Sequence, residues 1–269
     1  MTLSLPLRSA LFLPASNPRA IAKARTLGAD LVILDLEDAV KDADKAAARE
    51  AAVRAVAEGF GAARVAIRVN APGSAWFAED CAAAAEAAPD CVVAPKAETA
   101  AQAAAVAARV RRPLIAMIET PAGVLAAAAI AAAAGVAGLM AGTNDLAAAL
   151  RLPADAGRTG LAHALQAIVL AARAAGGVAL DGVFNRLDDP QGLAAECAEG
   201  RRLGFDGKSL IHPGQVEPAN TAFGPTDAEL EEARALVAAA TGGAERFRDR
   251  MIEAMHVESA RRLIRIAGG

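Results

Sequence analysis

The chain reads as an α/β protein: a closed (β/α)8 TIM barrel followed by a C-terminal helical extension. Three observations predict this. Short runs rich in Val, Ile and Leu alternate with longer segments of strong helix formers; eight such units fit into about 250 residues; and several of the short runs close on a charged side chain. Strands alternating with helices call for a parallel sheet, and eight units suit a closed barrel better than an open doubly wound sheet.

Taken in order, the first strand is expected at residues 10–13. Ser16-Asn17-Pro18 then puts capping side chains ahead of a proline in the first turn, so a helix is expected over 18–27, with Gly28 turning the chain back. A strand at 31–36 runs into Asp35-Leu-Glu37-Asp38, and a helix at 45–58 leads to a strand at 64–69 that carries Arg68 near its end. A helix at 75–88 precedes a strand at 91–94, with Lys96 just beyond it and Glu98-Thr99 starting the helix 97–110. The strand 114–118 is followed at once by Glu119, the helix 124–134 ends at Gly135, and the strand 138–141 leads to Asp145. Helices at 161–175 and 192–203, closed by Gly176 and Gly204, precede the strands 178–183 and 207–211. The long Ala runs resemble low complexity, but strand-like runs bracket each of them, so they are read as helix faces packed on the barrel. After Phe223-Gly-Pro225 the alternation stops. Residues 227–240 and 251–266 read as two helices with no strand between them, separated by Thr241-Gly-Gly243. The domain reading is therefore a barrel at 1–225 and a helical extension at 226–269, suited to cover the barrel mouth or dock on a neighbouring subunit.

Composition narrows the class of function. Of the 269 residues 55% are hydrophobic, but Ala dominates them, and no run approaches the roughly 20 strongly apolar residues of a membrane span. The net charge of −3, with acids and bases interspersed, argues against nucleic-acid binding and against a polybasic membrane anchor. The N-terminus has no basic lead, and Pro14 and Asn17 interrupt the apolar stretch after it, so no signal peptide is expected and a cytoplasmic location is. Cys81, Cys91 and Cys197 are odd in number and lack ligand spacing; they read as buried small hydrophobes in a reducing compartment.

The charged strand ends form the candidate site. Neighbouring parallel strands lie about 4.8 Å apart, so Glu119 and Asp145, at the ends of the fifth and sixth, are able to share one ion. Two carboxylates, with water and substrate oxygens completing the shell, suit Mg2+ or Mn2+; the competing reading is that both acids cap the helices that follow. His163, His212 and His256 share no zinc-ligand spacing, and His212 before Pro213 reads as a loop-fixing residue. Arg68 offers a planar fork for a substrate carboxylate or an ion pair with Asp35 or Glu37, and the two are compatible. Asp35 and Glu37, two apart, share a face of an extended segment: one is placed to pair with Arg68 while another holds a metal-bound water, or the cluster is a solvated turn. Lys96 raises Schiff-base chemistry with a keto acid, ranked lower because nearby acids keep its ammonium charged. The helix start at Ser16–Arg19 offers a geometric site for phosphates.

Seven segments in order resemble one family: residues 8–19, Asp35-Leu-Glu-Asp-Ala-Val40, Arg68-Val-Asn70, Ala94-Pro-Lys96, Ile118-Glu-Thr-Pro-Ala-Gly123, Gly142-Thr-Asn-Asp-Leu146 and residues 204–213. They resemble the citrate lyase β-subunit-like proteins, which include malyl-CoA and citramalyl-CoA lyases, within the wider aldolase/citrate lyase family. The resemblance implies a (β/α)8 barrel with a C-terminal extension, assembled as a trimer or larger oligomer such as a hexamer. It implies Mg2+ held by Glu119 and Asp145, with Arg68 clamping the keto-acid carboxylate, Glu37 and Asp38 as supporting acids and Lys96 nearby. The implied reaction makes or breaks a carbon–carbon bond beside an acyl-thioester, with an acyl-CoA and a small 2-keto acid as partners. One departure stands out. Where lyases of this family that act on free CoA esters carry a Met-Val/Ile-Asp turn, whose Asp reaches a neighbouring subunit's site, this chain has Asp249-Arg-Met-Ile-Glu253. Glu253 has an intrinsic pKa close to that of Asp but is one methylene longer. The leading expectation is thus a Mg2+-dependent lyase of a β-hydroxyacyl-CoA. The alternatives are a hydrolase of the same thioesters with water positioned by Glu253, and a β subunit of a citrate lyase complex or keto-acid binding module.

Overall fold

The computed structural model describes residue 3 and residues 6–268, so residues 1, 2, 4, 5 and 269, at the ends of the two expected units and within the expected leader-free N-terminus, lie outside the described residues. The chain runs β1 (Ser9–Pro14), α1 (Pro18–Ala24), β2 (Leu31–Asp35), α2 (Lys45–Glu58), β3 (Arg64–Arg68), α3 (Phe77–Ala87), β4 (Cys91–Ala94), α4 (Ala100–Val110), β5 (Leu114–Ile118) and α5 (Pro121–Ala131). It continues with β6 (Val136–Ala141), α6 (Thr143–Ala149), α7 (Ala162–Ala174), β7 (Val178–Asp181), α8 (Pro190–Leu203), β8 (Gly207–Leu210) and α9 (Val216–Phe223). The last elements are α10 (Asp227–Ala239), β9 (Glu245–Phe247), β10 (Arg250–Ile252) and α11 (Ala254–Ile266).

Strands β1 to β8 close into a parallel barrel in sequence order, β8 pairing back onto β1. All eight expected strands form, and helices separate them. The period-2 alternation of the strands sorts their side chains into two cores. Leu31, Ile33, Ala66, Cys91, Val93, Ile115, Met117, Met140, Val178 and Leu180 fill the barrel interior. Val32, Leu34, Val65, Ile67, Val92, Leu114, Ala116 and Leu139 face outward against the helices in the larger cluster. Ala103, Ala107, Ala127, Ala131, Ala164 and Ala172 meet them there, so the Ala runs are close-packed helix faces. Two helices do not appear in the sequence pattern. Helix α6 has only seven residues, and α9 carries Pro218 in its first turn, where a missing N–H is tolerated but the amphipathic pattern is blurred.

The region after α9 differs from expectation. The stretch read as containing no strand holds an antiparallel hairpin, β9 with β10, whose Arg248 sits in the left-handed turn. Met251 and Ile252 belong to β10 and Glu253 is the N-cap of α11, so these residues do not form its first turn and the helix starts at Ala254. The β-type alternation there is only three residues long in each arm, too short for periodicity to reveal. Phe247 and Ile252 pack with Ala233, Leu236 and Ala260 in a small core of their own. Arg201 on α8 reaches Glu229 on α10 at 2.9 Å, tying this region to the barrel. No helix among the described residues is long and apolar enough to cross a membrane. All three cysteines are free and buried, and burial pushes their thiols up, Cys91 to about 12 and the other two to about 11.

Candidate active site at the barrel mouth

Strand parity builds the site. Leu31 and Ile33 point into the barrel, and Asp35 continues their phase; Ala66 points inward, and Arg68 continues it; Ile115 and Met117 point inward, and Glu119 follows them. Asp35 and Arg68 are direct partners in the β2–β3 register, so the guanidinium forks onto the carboxylate, Nε to Oδ1 at 2.7 Å and Nη2 to Oδ2 at 2.6 Å. Asp35 also accepts from the backbone N–H groups of Glu37 and Ala39, which curls the acidic segment back over the strand end. The ion-pair reading of Arg68 is thus realised. Burial opposes its charge, but the hydrogen bonds and charge of Asp35 outweigh that and hold the guanidinium firmly protonated. Its remaining terminus, Nη1, lies 3.0 Å from Glu37 Oε2 and 3.9 Å from Met117 Sδ, while the guanidinium stacks over the Phe12 ring at 4.8 Å. The Glu37 contact is one of distance only, since Oε2 has no aligned hydrogen bond.

Lys96 breaks the parity rule. Two residues past β4 the chain turns through a positive φ of 51° at Lys96, which aims its backbone N–H at Glu119 Oε1, 2.6 Å away, and its ammonium at Glu37 Oε1, 3.1 Å away. Burial lowers the ammonium's affinity for its proton, but Glu37, with Asp38 and Glu119 behind it, raises it by more; Lys96 stays charged, without the free lone pair that Schiff-base formation needs. Glu119 is almost wholly buried, and burial pushes its carboxyl up to about 7, with Glu37 and Asp145 adding to the rise and the Lys96 N–H opposing it. Burial likewise raises Glu37, against the pull of Arg68 and Lys96. A Cβ on Gly142 would overlap the Glu119 side chain and stand 2.5 Å from its Oε2, so glycine is needed for the chain after β6 to pass the carboxylate.

Asp35, Asp38, Arg68, Glu119 and Asp145 line one cavity of about 330 Å3, together with Phe12, Met117, Thr143 and Ser209. Sequence-predicted Glu37 and Lys96 stand behind it, joined to it through Arg68 and Glu119. Asp38 and Asp145 are exposed at the rim. Glu253 is not brought here: it is exposed at the start of α11, where its side chain and His256 cap each other's backbone N–H groups. His212 caps the turn after β8 through Nδ1, the loop-fixing part expected of it.

The donor set fits a hard divalent cation. A carboxyl raised first by burial and then by two neighbouring acids, next to a second carboxylate open to the cavity, is a site short of positive charge, and both donors are oxygens. Among the described residues no three His, Cys, Asp or Glu side chains gather to cage an ion, so a bound cation would take its other oxygens from water and substrate.

A larger cavity of about 720 Å3 adjoins the first, sharing Thr143, Asn144 and Val183 with it and lined further by Arg158, Arg186, Glu196 and Arg202. Under it lies a charge network that the sequence reading missed. Asp181 on β7 and Lys208 on β8 have outward parity, are fully buried and pair at 3.0 Å; Lys208 also reaches Glu196 on α8 at 2.6 Å, and Arg158 reaches Asp181 at 3.1 Å. The available signal was a lysine and an aspartate inside strand-like runs, positions where an unpaired charge is not tolerated.

Residues 8–213 match the model of the HpcH/HpaI aldolase/citrate lyase family. The chain is 45% identical over 236 residues to a (3S)-malyl-CoA thioesterase of Cereibacter sphaeroides strain KD131, covering 87% of this chain and 83% of the relative. It is 39% identical over 265 residues to a citrate lyase subunit beta-like protein of Mycobacterium tuberculosis H37Rv, covering 96% and 94%. The fold superposes with a TM-score of 0.81 on the M. tuberculosis protein CitE solved with magnesium, acetoacetate and coenzyme A, at 38% identity and covering 97% of this chain and 98% of that one.

Proposed function

The chain belongs to the HpcH/HpaI aldolase/citrate lyase family of enzymes, and from this premise we propose that it is a Mg2+-dependent carbon–carbon lyase. Its substrate is a β-hydroxyacyl-CoA such as malyl-CoA or citramalyl-CoA, cleaved to an acyl-CoA and a small 2-keto acid or formed from them. The observation that carries the reading is the Glu119–Asp145 carboxylate pair in one cavity with Arg68. The similar M. tuberculosis protein, solved with magnesium, a keto acid and coenzyme A, supports it.

Glu119 and Asp145 would hold Mg2+, or Mn2+ in its place, and the ion when bound would supply a Lewis acid for the oxygen where charge builds up as the bond breaks. Arg68, fixed by Asp35 and lining the cavity, offers its positive charge to the substrate carboxylate. Glu37 and Asp38 support the site from its edge, Glu37 keeping Arg68 and Lys96 in place. Glu253 exchanges the proton of the acyl enolate after reaching a neighbouring subunit's cavity, so the working form is a homo-oligomer, a trimer or hexamer. In this reading residues 1–225 are the catalytic unit, residues 226–269 are the lid that passes between subunits, and the protein acts in the cytoplasm.

A second reading is hydrolysis of the same thioesters, favoured by the similarity to a (3S)-malyl-CoA thioesterase. Products separate the two. Purified protein given Mg2+ and malyl-CoA or citramalyl-CoA is expected to release glyoxylate or pyruvate in step with acyl-CoA, with activity abolished by EDTA and by Glu119→Gln. Free CoA without a keto acid would assign the hydrolase instead, and activity indifferent to both EDTA and Glu119→Gln would remove the metal pair from the mechanism.

A further inference from the structure

Lys45 is the first residue of α2, and only 5% of it is exposed. Its ammonium donates to Leu36 O, Glu37 O and Asn70 Oδ1, each at 2.8 Å, which uses all three of its N–H groups. The Trp76 ring lies 5.1 Å from the same nitrogen. All three acceptors are neutral. A buried ammonium is costly to desolvate, and a cation in the first turn of a helix also opposes the helix dipole. Filling space does not call for it, because a methionine has a stem of similar length.

The two carbonyls do not depend on Lys45 for a partner. Leu36 O also accepts from Asn70 Nδ2 at 2.8 Å, and Glu37 O from the Val40 N–H at 3.0 Å. What the ammonium adds is convergence: it ties the segment after β2, through two successive carbonyls, to α2 and to Asn70 beyond the end of β3. Asn70 is itself anchored, since its backbone N–H and its Nδ2 both donate to the buried Asp80 carboxylate on α3.

Glu37 stands at the centre of this tie. Its N–H donates to Asp35 Oδ1 at 2.9 Å, and Lys45 holds the carbonyl on either side of its Cα, so both flanking peptide planes are fixed. The direction of its side chain is fixed with them. From there Oε1 meets Lys96 Nζ at 3.1 Å, and Oε2 lies 3.0 Å from Arg68 Nη1. Arg68 lines the cavity, and Lys96 gives its backbone N–H to Glu119. Asp35 fixes one edge of the Arg68 guanidinium, and Glu37 sets the charge at the other. We infer that Lys45 is a positioning residue of the active site, acting through Glu37, whose carboxylate it aims between Arg68 and Lys96. This rests on the reading of Arg68 as the group that receives the carboxylate of a keto acid.

Lys45→Met removes the ammonium and orphans neither carbonyl, so the variant is expected to fold. Lys45→Met, Glu37→Ala and the double variant are compared with wild type in the full chain with Mg2+, by calorimetry with glyoxylate and pyruvate and by melting temperature. Lys45→Met is expected to weaken keto-acid binding by about tenfold in the wild-type background. In the Glu37→Ala background the same substitution is expected to change it by less than about threefold, because the group that Lys45 aims is gone. Its effect on melting temperature is expected to be alike in the two backgrounds, so a loss of packing does not imitate the coupling. An equal loss of affinity in both backgrounds would overturn the inference, since Lys45 would then act through its charge or the fold alone. Binding by Lys45→Met within about threefold of wild type would overturn it as well. Where a variant binds too weakly for calorimetry, a crystal structure of Lys45→Met decides: the Glu37 carboxylate is expected to have left Lys96, and a contact kept at 3.1 Å would overturn the inference. A wild type that binds neither glyoxylate nor pyruvate in the presence of Mg2+ would fail the functional reading itself, and this inference with it.

Discussion

Glu119 shows how one side chain turns a strand end into a reactive place. Its phase in β5 sends it inward, and the close passage of Gly142 leaves it little room to turn away from Asp145 and Glu37. Buried among acids, it keeps its proton to about pH 7 in the folded metal-free protein, whereas in the unfolded chain it ionises near 4.5. The folded state therefore binds more protons between those values, and stability falls as pH rises through that window. The shift corresponds to about 3 kcal/mol, fully present below pH 4.5 and lost by pH 7. Melting temperature followed from pH 4.5 to 7.5 with EDTA should thus decline, and Glu119→Gln should flatten the decline because it cannot ionise. Added Mg2+ should raise the melting temperature of wild type at pH 7.5 and leave the variant unmoved. A variant as pH-sensitive as wild type would place the strain elsewhere.

At the level of elements, the barrel was legible because each strand repeats with period 2 and each intervening segment is made of helix formers. The same parity that fills the interior with Leu31, Ile33, Ile115 and Met117 also delivers Asp35 and Glu119, so the strand-end acids could be read in advance. What could not be read was the side on which an isolated charge lies. Asp181 and Lys208 have the opposite phase and are shut between the barrel wall and α8, where Arg158 and Glu196 complete the network. Lys208 is expected to hold this layer together. Replacing it by Met keeps much of its stem packing but leaves Asp181 fully buried with only Arg158 as cationic partner, which should cost about 3 kcal/mol in urea unfolding. A change under about 1 kcal/mol would show that Arg158 alone compensates the acids. The hairpin was illegible for a different reason. Its arms of three residues carry too little pattern, and Phe247 and Ile252 make sense only once α10 and α11 are packed on them.

The whole molecule poses a question of connectivity. The cavity holding Glu119, Asp145 and Arg68 draws its lining from residues no later than Ile211, while Glu253, next in the chain after the hairpin, is exposed with its backbone tied to His256. Met251 and Met255, exposed on either side of it, give that turn an apolar surface of the sort that packs against another chain. If the tail acid serves a neighbouring copy in a closed ring, each working site is assembled from the body of one subunit and the tail of the next. Two inactive variants then become informative together. Glu119→Gln spoils the body and spares the tail; Glu253→Ala does the reverse. After the two are unfolded, mixed in equal amounts and reassembled, a site works when its body comes from the Glu253→Ala chain and its tail from the Glu119→Gln chain. Random mixing gives that pairing in about a quarter of sites, whatever the size of the ring. Reassembled mixtures should therefore recover about a quarter of wild-type activity, while each variant put through the same treatment alone recovers none. A mixture as inactive as its components would mean that body and tail act within one chain, and a fully active Glu253→Ala would take the tail acid out of turnover altogether.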